Sequence, residues 1–197
     1  MILNVILVLV LSQYVIRETQ IDAVFKHPAI IDVTFFIHNL IFMIVILIRH
    51  DYVVVDRKWF HWLVCLLSFA SGLFFIKSSS SYGSITWVAD TINLIAILVG
   101  ILSLLNLGRS FGIIPALRKV KTNGLYRIVR HPMYVSDILF KIPIVIKYFT
   151  IYNSVVFFVS LMLYVLRARY EEELLCKEEQ YQIYRQSVKY RFIPFVY

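Results

Sequence analysis

The sequence contains few charged residues and few cysteines. Charged side chains make up only 16% of its 197 residues, whereas hydrophobic side chains make up 60%. A soluble domain carries about 25% charged residues, so this composition excludes an ordinary soluble globular fold. The 2 cysteines, Cys65 and Cys176, lie in an apolar run and in a polar tail, a distribution that argues against a disulfide-stapled fold. The length also argues against two domains of usual size.

Acidic residues are scarce as well. The sequence has 12 Asp and Glu against 20 Lys and Arg, which gives a net charge of +8. In a membrane protein such an excess sets the orientation of the chain and contacts anionic lipid head groups. The charge therefore does not indicate a nucleic-acid partner.

Long hydrophobic runs predict an all-α, polytopic membrane protein. The fifth run is interrupted by Asp137, Lys141 and Pro143, so it is also compatible with a hairpin that does not fully cross the bilayer. The prediction is therefore five to six transmembrane helices, with the first run retained rather than cleaved as a signal peptide. The runs are 1–16, 29–48, 59–76, 85–107, 134–148 and 151–166.

The basic residues predict the orientation of these runs. With six spans and both termini in the cytoplasm, 15 Lys and Arg fall on the inner side and 4 on the outer side, as the positive-inside rule requires. Residues 1–107 then hold the first four spans. The remainder, 108–197, forms a core made of the loop 108–133, a helical hairpin 134–166 and a tail 167–197.

The loop 108–133 carries six Lys and Arg residues and no Asp or Glu. Its glycines and prolines indicate an ordered, turn-rich segment rather than a simple orientation signal. Because proline suits the first turn of a helix, we expect a helix to begin at Pro132. His131 then lies at the helix N-terminus, where free backbone N–H groups favour anions or an electron-rich ligand.

A second polar cluster, 167–173, follows the last hydrophobic run. If the helix continues, Arg167 and Glu171 are four residues apart and share a face. One interpretation is a solvated face with internal ion pairs. The other is a carboxylate facing a cationic ligand and an arginine facing an anionic group.

Four further polar residues lie within the hydrophobic runs. Asp137 and Lys141 are also four residues apart, which predicts a buried ion pair, with substrate contact as the alternative. Asp32 and His38 are expected to pack as a polar spot between spans rather than to act in catalysis.

Five sequence elements follow one another over roughly residues 100–197. They are Leu107-Gly108-Arg109-Ser110-Phe111-Gly112 with Pro115-Ala116, Gly124-x-Tyr126-Arg127-x-Val129-Arg130-His131-Pro132-x-Tyr134, Arg167-x-x-x-Glu171-Glu172-x-x-Leu175, Tyr181-x-x-Tyr184 and Val188-x-Tyr190-Arg191-x-Ile193-Pro194. Together these elements resemble the isoprenylcysteine carboxyl methyltransferase family. The sequence departs from that family in two places, since the glycine that often follows the His-Pro motif is replaced by Val135-Ser136 and a Phe-Gly pair usual before the tail tyrosines is missing.

The resemblance implies an integral membrane enzyme that transfers a methyl group from S-adenosylmethionine to a lipophilic acceptor, in the first instance to a carboxylate oxygen. It implies that Arg167 is the catalytic residue that faces the substrate. It implies neither a metal nor a nucleic-acid partner. The implied cofactor-binding residues are Arg118, Lys119, Val120, Lys121, Tyr126, His131, Pro132, Met133, Tyr134 and Glu171.

Three alternatives stay open from the sequence. A phospholipid N-methyltransferase shares this architecture but methylates an amine. The tail Val188-x-Tyr190-Arg191-Phe192-Ile193-Pro194 is also similar to NADPH-dependent sterol reductases, although those enzymes have more spans. A membrane scaffold without catalytic activity is the third, and it predicts no cofactor binding.

Overall fold

The computed structural model describes residues 30–49, 54–76, 86–117, 119–194 and 196. Within these ranges the chain is mostly helical, as the hydrophobic runs predicted. The predicted first span, 1–16, lies outside the described residues. The α-helices are α1 (Ile30–Ile48), α2 (Trp59–Ala70), α3 (Thr86–Leu107), α4 (Pro132–Leu139), α5 (Lys141–Lys147), α6 (Ile151–Leu175) and α7 (Glu179–Ser187). Short 3-10 turns cover Ser71–Phe74, Gly108–Ser110 and Gly124–Arg127.

Two helical segments in the described ranges are long and apolar enough to cross a membrane. They are Thr86–Ser110 and Ile151–Leu175. Shorter apolar segments cover Phe36–Ile48 and Trp59–Phe74. The five to six spans, and the cytoplasmic position of the termini and the loop, stay predictions.

The outward face of α6 changes character along its length. Val155, Phe158 and Met162 are 55%, 63% and 61% exposed, and their spacing places these large apolar side chains on one stripe. A contiguous exposed apolar stripe suits contact with lipid better than with water. Further along the same face the exposed residues are Arg169 and Glu173. The last two turns of α6 therefore present a surface that suits water.

Small residues let the helices of the bundle approach closely. A Cβ atom at Gly100 on α3 would lie within 2.8 Å of side-chain atoms of His38 on α1 and Ser136 on α4. The Ser136 hydroxyl donates to the backbone carbonyl of Ala96 at 2.8 Å. Close helix packing through small residues is common inside membranes. His38 is buried against Phe42 and Phe140. The side chain of Asp32 lies outside the described part, so the predicted polar spot between spans stays a prediction.

The fifth hydrophobic run does not form one helix. It is divided at Phe140 into α4 and α5, which have 8 and 7 residues, and a membrane-crossing helix needs about 20. Pro143 lacks the N–H group that would bond to the carbonyl of residue 139, which explains why the helix is interrupted here. The break leaves open whether this run crosses the membrane.

The predicted Asp137–Lys141 ion pair is wrong as a direct contact. Lys141 Nζ donates to the backbone carbonyl of Asp137 at 3.0 Å instead of to its carboxylate. The Tyr164 hydroxyl donates to Asp137 Oδ2 at 3.3 Å and lies 3.5 Å from Lys141 Nζ. The tyrosine of α6 therefore connects the two charged groups.

The first part of the loop after α3 is held at two points. Gly108 ends α3 with φ +51°, a left-handed conformation that glycine adopts readily, and Arg109 Nε donates to the carbonyl of Ile48 at 2.9 Å. Further on, β2 (Ala116–Leu117) pairs antiparallel with β1 (Val54–Val55). These contacts fix the first part of the loop beside α1 and α2.

Candidate active site

A cavity lies where the loop after α3, the start of α4, the end of α6 and α7 meet. Of the implied cofactor residues, Arg118 lies outside the described part, Pro132 is buried but does not line the cavity, and the other eight line it. Arg167 does not line it. The lining residues are Leu107, Ser110, Phe111, Gly112, Ala116, Lys119, Val120, Lys121, Tyr126, Arg130, His131, Met133, Tyr134, Glu171, Leu175, Tyr181 and Tyr184.

The start of α4 carries His131 and Tyr134 to the cavity. The helix begins at Pro132, with His131 as the residue before the first turn, which confirms the prediction. The two rings are stacked, with centroids 5.1 Å apart and an angle of 9° between their planes. The His131 backbone N–H donates to the carbonyl of Arg191 at 3.0 Å. The C-terminal tail therefore fixes the position of this corner.

Glu172 is the centre of a buried ion cluster beside the cavity. Arg130 Nε donates to Glu172 Oε1 at 2.8 Å, and His131 Nε2 lies 3.0 Å from the same oxygen. Arg191 Nε donates to Oε2 at 3.0 Å. Arg130 also donates to the carbonyls of Val188 and Lys189, both at 2.9 Å. The cluster fastens α6, the start of α4 and the tail together.

Glu171 has a different environment from its neighbour. Its side chain is 30% exposed and lines the cavity. The Tyr134 hydroxyl donates to Glu171 Oε2, and His131 Nδ1 lies 4.0 Å from that oxygen. Because successive residues of a helix point about 100° apart, one acid faces the cavity and the next faces the ion cluster.

Arg167 is buried beside the cavity and bonded to its wall. One guanidinium nitrogen donates to the carbonyls of Gly112 and Ile113 at 3.3 and 2.8 Å. The other donates to the Ser68 hydroxyl at 3.2 Å. The guanidinium carbon lies 4.8 Å from the centroid of the Tyr134 ring. In this arrangement Arg167 supports the loop that lines the cavity.

Three buried tyrosines line another part of the cavity. The Tyr184 hydroxyl donates to the carbonyl of Tyr126 at 2.7 Å, and the Tyr181 and Tyr184 rings meet edge to face at 5.6 Å. Burial raises the pKa of all three hydroxyls above the ordinary tyrosine value. They therefore stay protonated near neutral pH.

Gly124 opens the turn that presents Tyr126. It adopts φ +59°, a conformation that strains residues with a side chain. A Cβ atom here would also overlap the side chain of Asn106 on α3. Both the turn and the close approach to α3 therefore require glycine.

Comparison with known protein families finds a match that includes this region. Residues 87–182 match the family model of phospholipid methyltransferases. No curated protein matches the chain. The matched stretch runs from α3 into α7 and contains Arg167 and every implied cofactor residue.

The phospholipid methyltransferase match indicates a methyltransferase and agrees with the predicted class of membrane enzyme. It does not confirm the narrower resemblance to isoprenylcysteine carboxyl methyltransferases. Its description names phospholipid acceptors, whereas the sequence motifs favoured a carboxylate.

Sequence reasoning assigned no role to nine of the 17 lining residues, among them Arg130, Tyr181 and Tyr184. Arg130, Tyr181 and Tyr184 belong to the motifs that carried the resemblance, but no role was assigned to them. The spacing of the two tyrosines, three apart in the otherwise polar helix α7, is typical of a buried helix face and is the signal that points to them.

Proposed function

We propose that the chain is an S-adenosylmethionine-dependent methyltransferase that acts on a lipophilic acceptor at a membrane. The supporting observation is that eight implied cofactor residues, which come from separate parts of the sequence, line one cavity. All eight lie in the stretch that matches phospholipid methyltransferases. A scaffold protein has no need for such a convergence of polar and aromatic groups.

The residues of the cavity fit this cofactor. S-adenosylmethionine has a sulfonium cation, an amino-acid carboxylate and a nucleoside. Among the described lining residues Glu171 is the acid, and it suits the cationic part, while Lys119 and Lys121 suit the carboxylate. Tyrosine rings suit the nucleoside. When bound, the cofactor supplies an electrophilic methyl group.

The contribution of the chain is mainly positioning. In-line methyl transfer depends on holding the donor and acceptor at the right distance and angle. Tyr134 holds the Glu171 carboxylate through its hydroxyl, and the Glu172 cluster fixes the helix that carries both acids. We expect these contacts to hold the cofactor-binding side chains in fixed positions.

For the acceptor we favour the amine of a phospholipid. The family match names that class, and both terminal guanidinium nitrogens of Arg167 already donate to protein oxygens. An acceptor carboxylate would have to compete with those bonds. The second candidate is a carboxylate, supported by the position of Arg167 over the ring of Tyr134, which lines the cavity.

Labelled methyl transfer separates the two acceptors. The purified protein in nanodiscs receives methyl-labelled S-adenosylmethionine with phosphatidylethanolamine, or with a farnesylated cysteine derivative. Label that resists alkali on the amine lipid supports N-methylation. Label that alkali releases as methanol identifies a methyl ester and supports the carboxylate. Failure of the protein to bind S-adenosylmethionine or S-adenosylhomocysteine would refute the proposed function.

A further inference from the structure

The hydroxyl of Tyr181 is buried and has no hydrogen-bond partner among the described residues. The side chain is 3% exposed and lines the cavity. Buried hydroxyls are nearly always bonded, because an unpaired polar group without water is costly. The neighbouring Tyr184 follows the rule, since its hydroxyl donates to the carbonyl of Tyr126. The exception at Tyr181 indicates that something else supplies its partner.

The side chains packed around Tyr181 are apolar and aromatic, and the charges of Glu172, Glu171 and Arg130 act on its hydroxyl from further away. It belongs to a buried cluster with Tyr126, Tyr184 and Val188, against which Leu107, Val120 and Leu175 pack. Glu171 lines the same cavity but makes its contacts with Tyr134 and His131 rather than with this cluster. Flat heterocycles bind well between aromatic and aliphatic side chains, where stacking and burial both contribute. The apolar cluster therefore suits the base of a nucleoside better than a charged amino-acid group.

We infer that the Tyr181 hydroxyl hydrogen-bonds the purine base of the bound cofactor, and that Tyr126, Tyr184, Val120 and Leu175 form the base subsite around it. The inference rests on the proposed function, since it assigns one part of the cofactor to one part of the cavity. A tyrosine hydroxyl both donates and accepts. It therefore pairs with either a ring nitrogen or the exocyclic amine of adenine.

Ligand titration of two matched tyrosine variants tests this assignment. S-adenosylhomocysteine and 5′-methylthioadenosine, which lacks the amino-acid part, are titrated calorimetrically into the wild type, Tyr181→Phe and Tyr184→Phe in nanodiscs. Tyr181→Phe should weaken both ligands by a similar factor, about tenfold for one lost hydrogen bond. Because no protein bond is lost, the unfolding temperature of the ligand-free variant should stay the same or rise.

Tyr184→Phe serves as the contrasting variant. It removes the donor to the carbonyl of Tyr126, so it should lower the unfolding temperature of the ligand-free protein. Unchanged affinity of Tyr181→Phe for both ligands would overturn the inference. A loss for S-adenosylhomocysteine alone would move the hydroxyl to the amino-acid part and also overturn it. If the wild type bound neither ligand, the proposed function itself would fail.

Discussion

The two acids at the polar end of α6, Glu171 and Glu172, differ in how many protein groups bond to their carboxylates. On one side Glu172 accepts from Arg130 and Arg191 and contacts His131, in a buried cluster. On the other side Glu171 is partly exposed in the cavity and is approached by one tyrosine hydroxyl. The Glu172 cluster, whose polar groups are bonded to one another, therefore stabilises the part of α6 that carries Glu171. Glu171 itself can still accept hydrogen bonds from a ligand in the cavity.

The largest expected effect on stability comes from removing Glu172, the centre of the buried ion cluster. Glu172→Ala leaves Arg130 and His131 without their carboxylate partner. Removing one partner of a buried ion pair costs about 3–5 kcal/mol. Denaturant unfolding of the protein in detergent should therefore show a loss of this size. The control is Glu173→Ala, which removes an exposed acid on the same helix. An equal loss of unfolding free energy in both variants would contradict the stabilising role of the Glu172 cluster.

Arg167→Lys tests whether Arg167 stabilises the loop that lines the cavity. A lysine ammonium cannot reproduce the planar fork that reaches Gly112, Ile113 and Ser68. We expect a loss of about 2 kcal/mol in unfolding free energy, since hydrogen bonds to charged groups contribute about 1.5–3 kcal/mol. Affinity for S-adenosylhomocysteine should also fall, because Gly112 lines the cavity.

The opposite result for Arg167→Lys would support the carboxylate acceptor. In that case the variant keeps its stability and its cofactor affinity but loses turnover. Calorimetric titration and unfolding on the same sample distinguish the two outcomes.

A smaller loss is expected at the turn that presents Tyr126. Gly124→Ala places a side chain in the left-handed region, which costs about 1–2 kcal/mol, and against Asn106. Unfolding of this variant is compared with Gly72→Ala, where no atom lies near the added carbon. If the two substitutions had the same effect, the turn would not depend on glycine.

The smallest effect on stability is expected from the two lysines that line the cavity, Lys119 and Lys121. Lys119→Ala and Lys121→Ala should lower the affinity for S-adenosylhomocysteine by several-fold and leave the unfolding free energy within about 0.5 kcal/mol, because Lys119 is exposed, Lys121 is only half-buried and neither belongs to the Glu172 cluster. The loss of affinity should shrink at high salt, because salt screens such charges. A loss that does not depend on salt would argue against a charge contact.

Much of this arrangement could be predicted from local signals. The start of α4 at Pro132, the end of α3 at Gly108 and the position of Glu171 follow from backbone preferences and from the family motifs. The break at Phe140 was harder to predict from the sequence. Pro143 indicates a disturbance, but whether a helix bends or divides there depends on its tertiary neighbours.

The partner of each acid could not be read from the motifs alone, because rotation of α6 decides which acid faces inward. A signal is present, since Ser160, Tyr164, Ala168 and Glu172 recur at intervals of four and are all buried. That stripe is recognisable only when the helix is known to continue past residue 166. The contacts of Arg167 with Gly112 and Ile113 join segments more than 50 residues apart, and no local pattern reports them.

The most direct test of the account is calorimetric binding of S-adenosylhomocysteine, with NADPH titrated separately, to the wild type and to Glu171→Gln in nanodiscs. We predict that the wild type binds S-adenosylhomocysteine and not NADPH. We also predict that Glu171→Gln binds S-adenosylhomocysteine at least about tenfold more weakly while its unfolding temperature stays close to that of the wild type. Binding of NADPH alone, or full affinity of Glu171→Gln with S-adenosylhomocysteine, would contradict the assignment of this cavity.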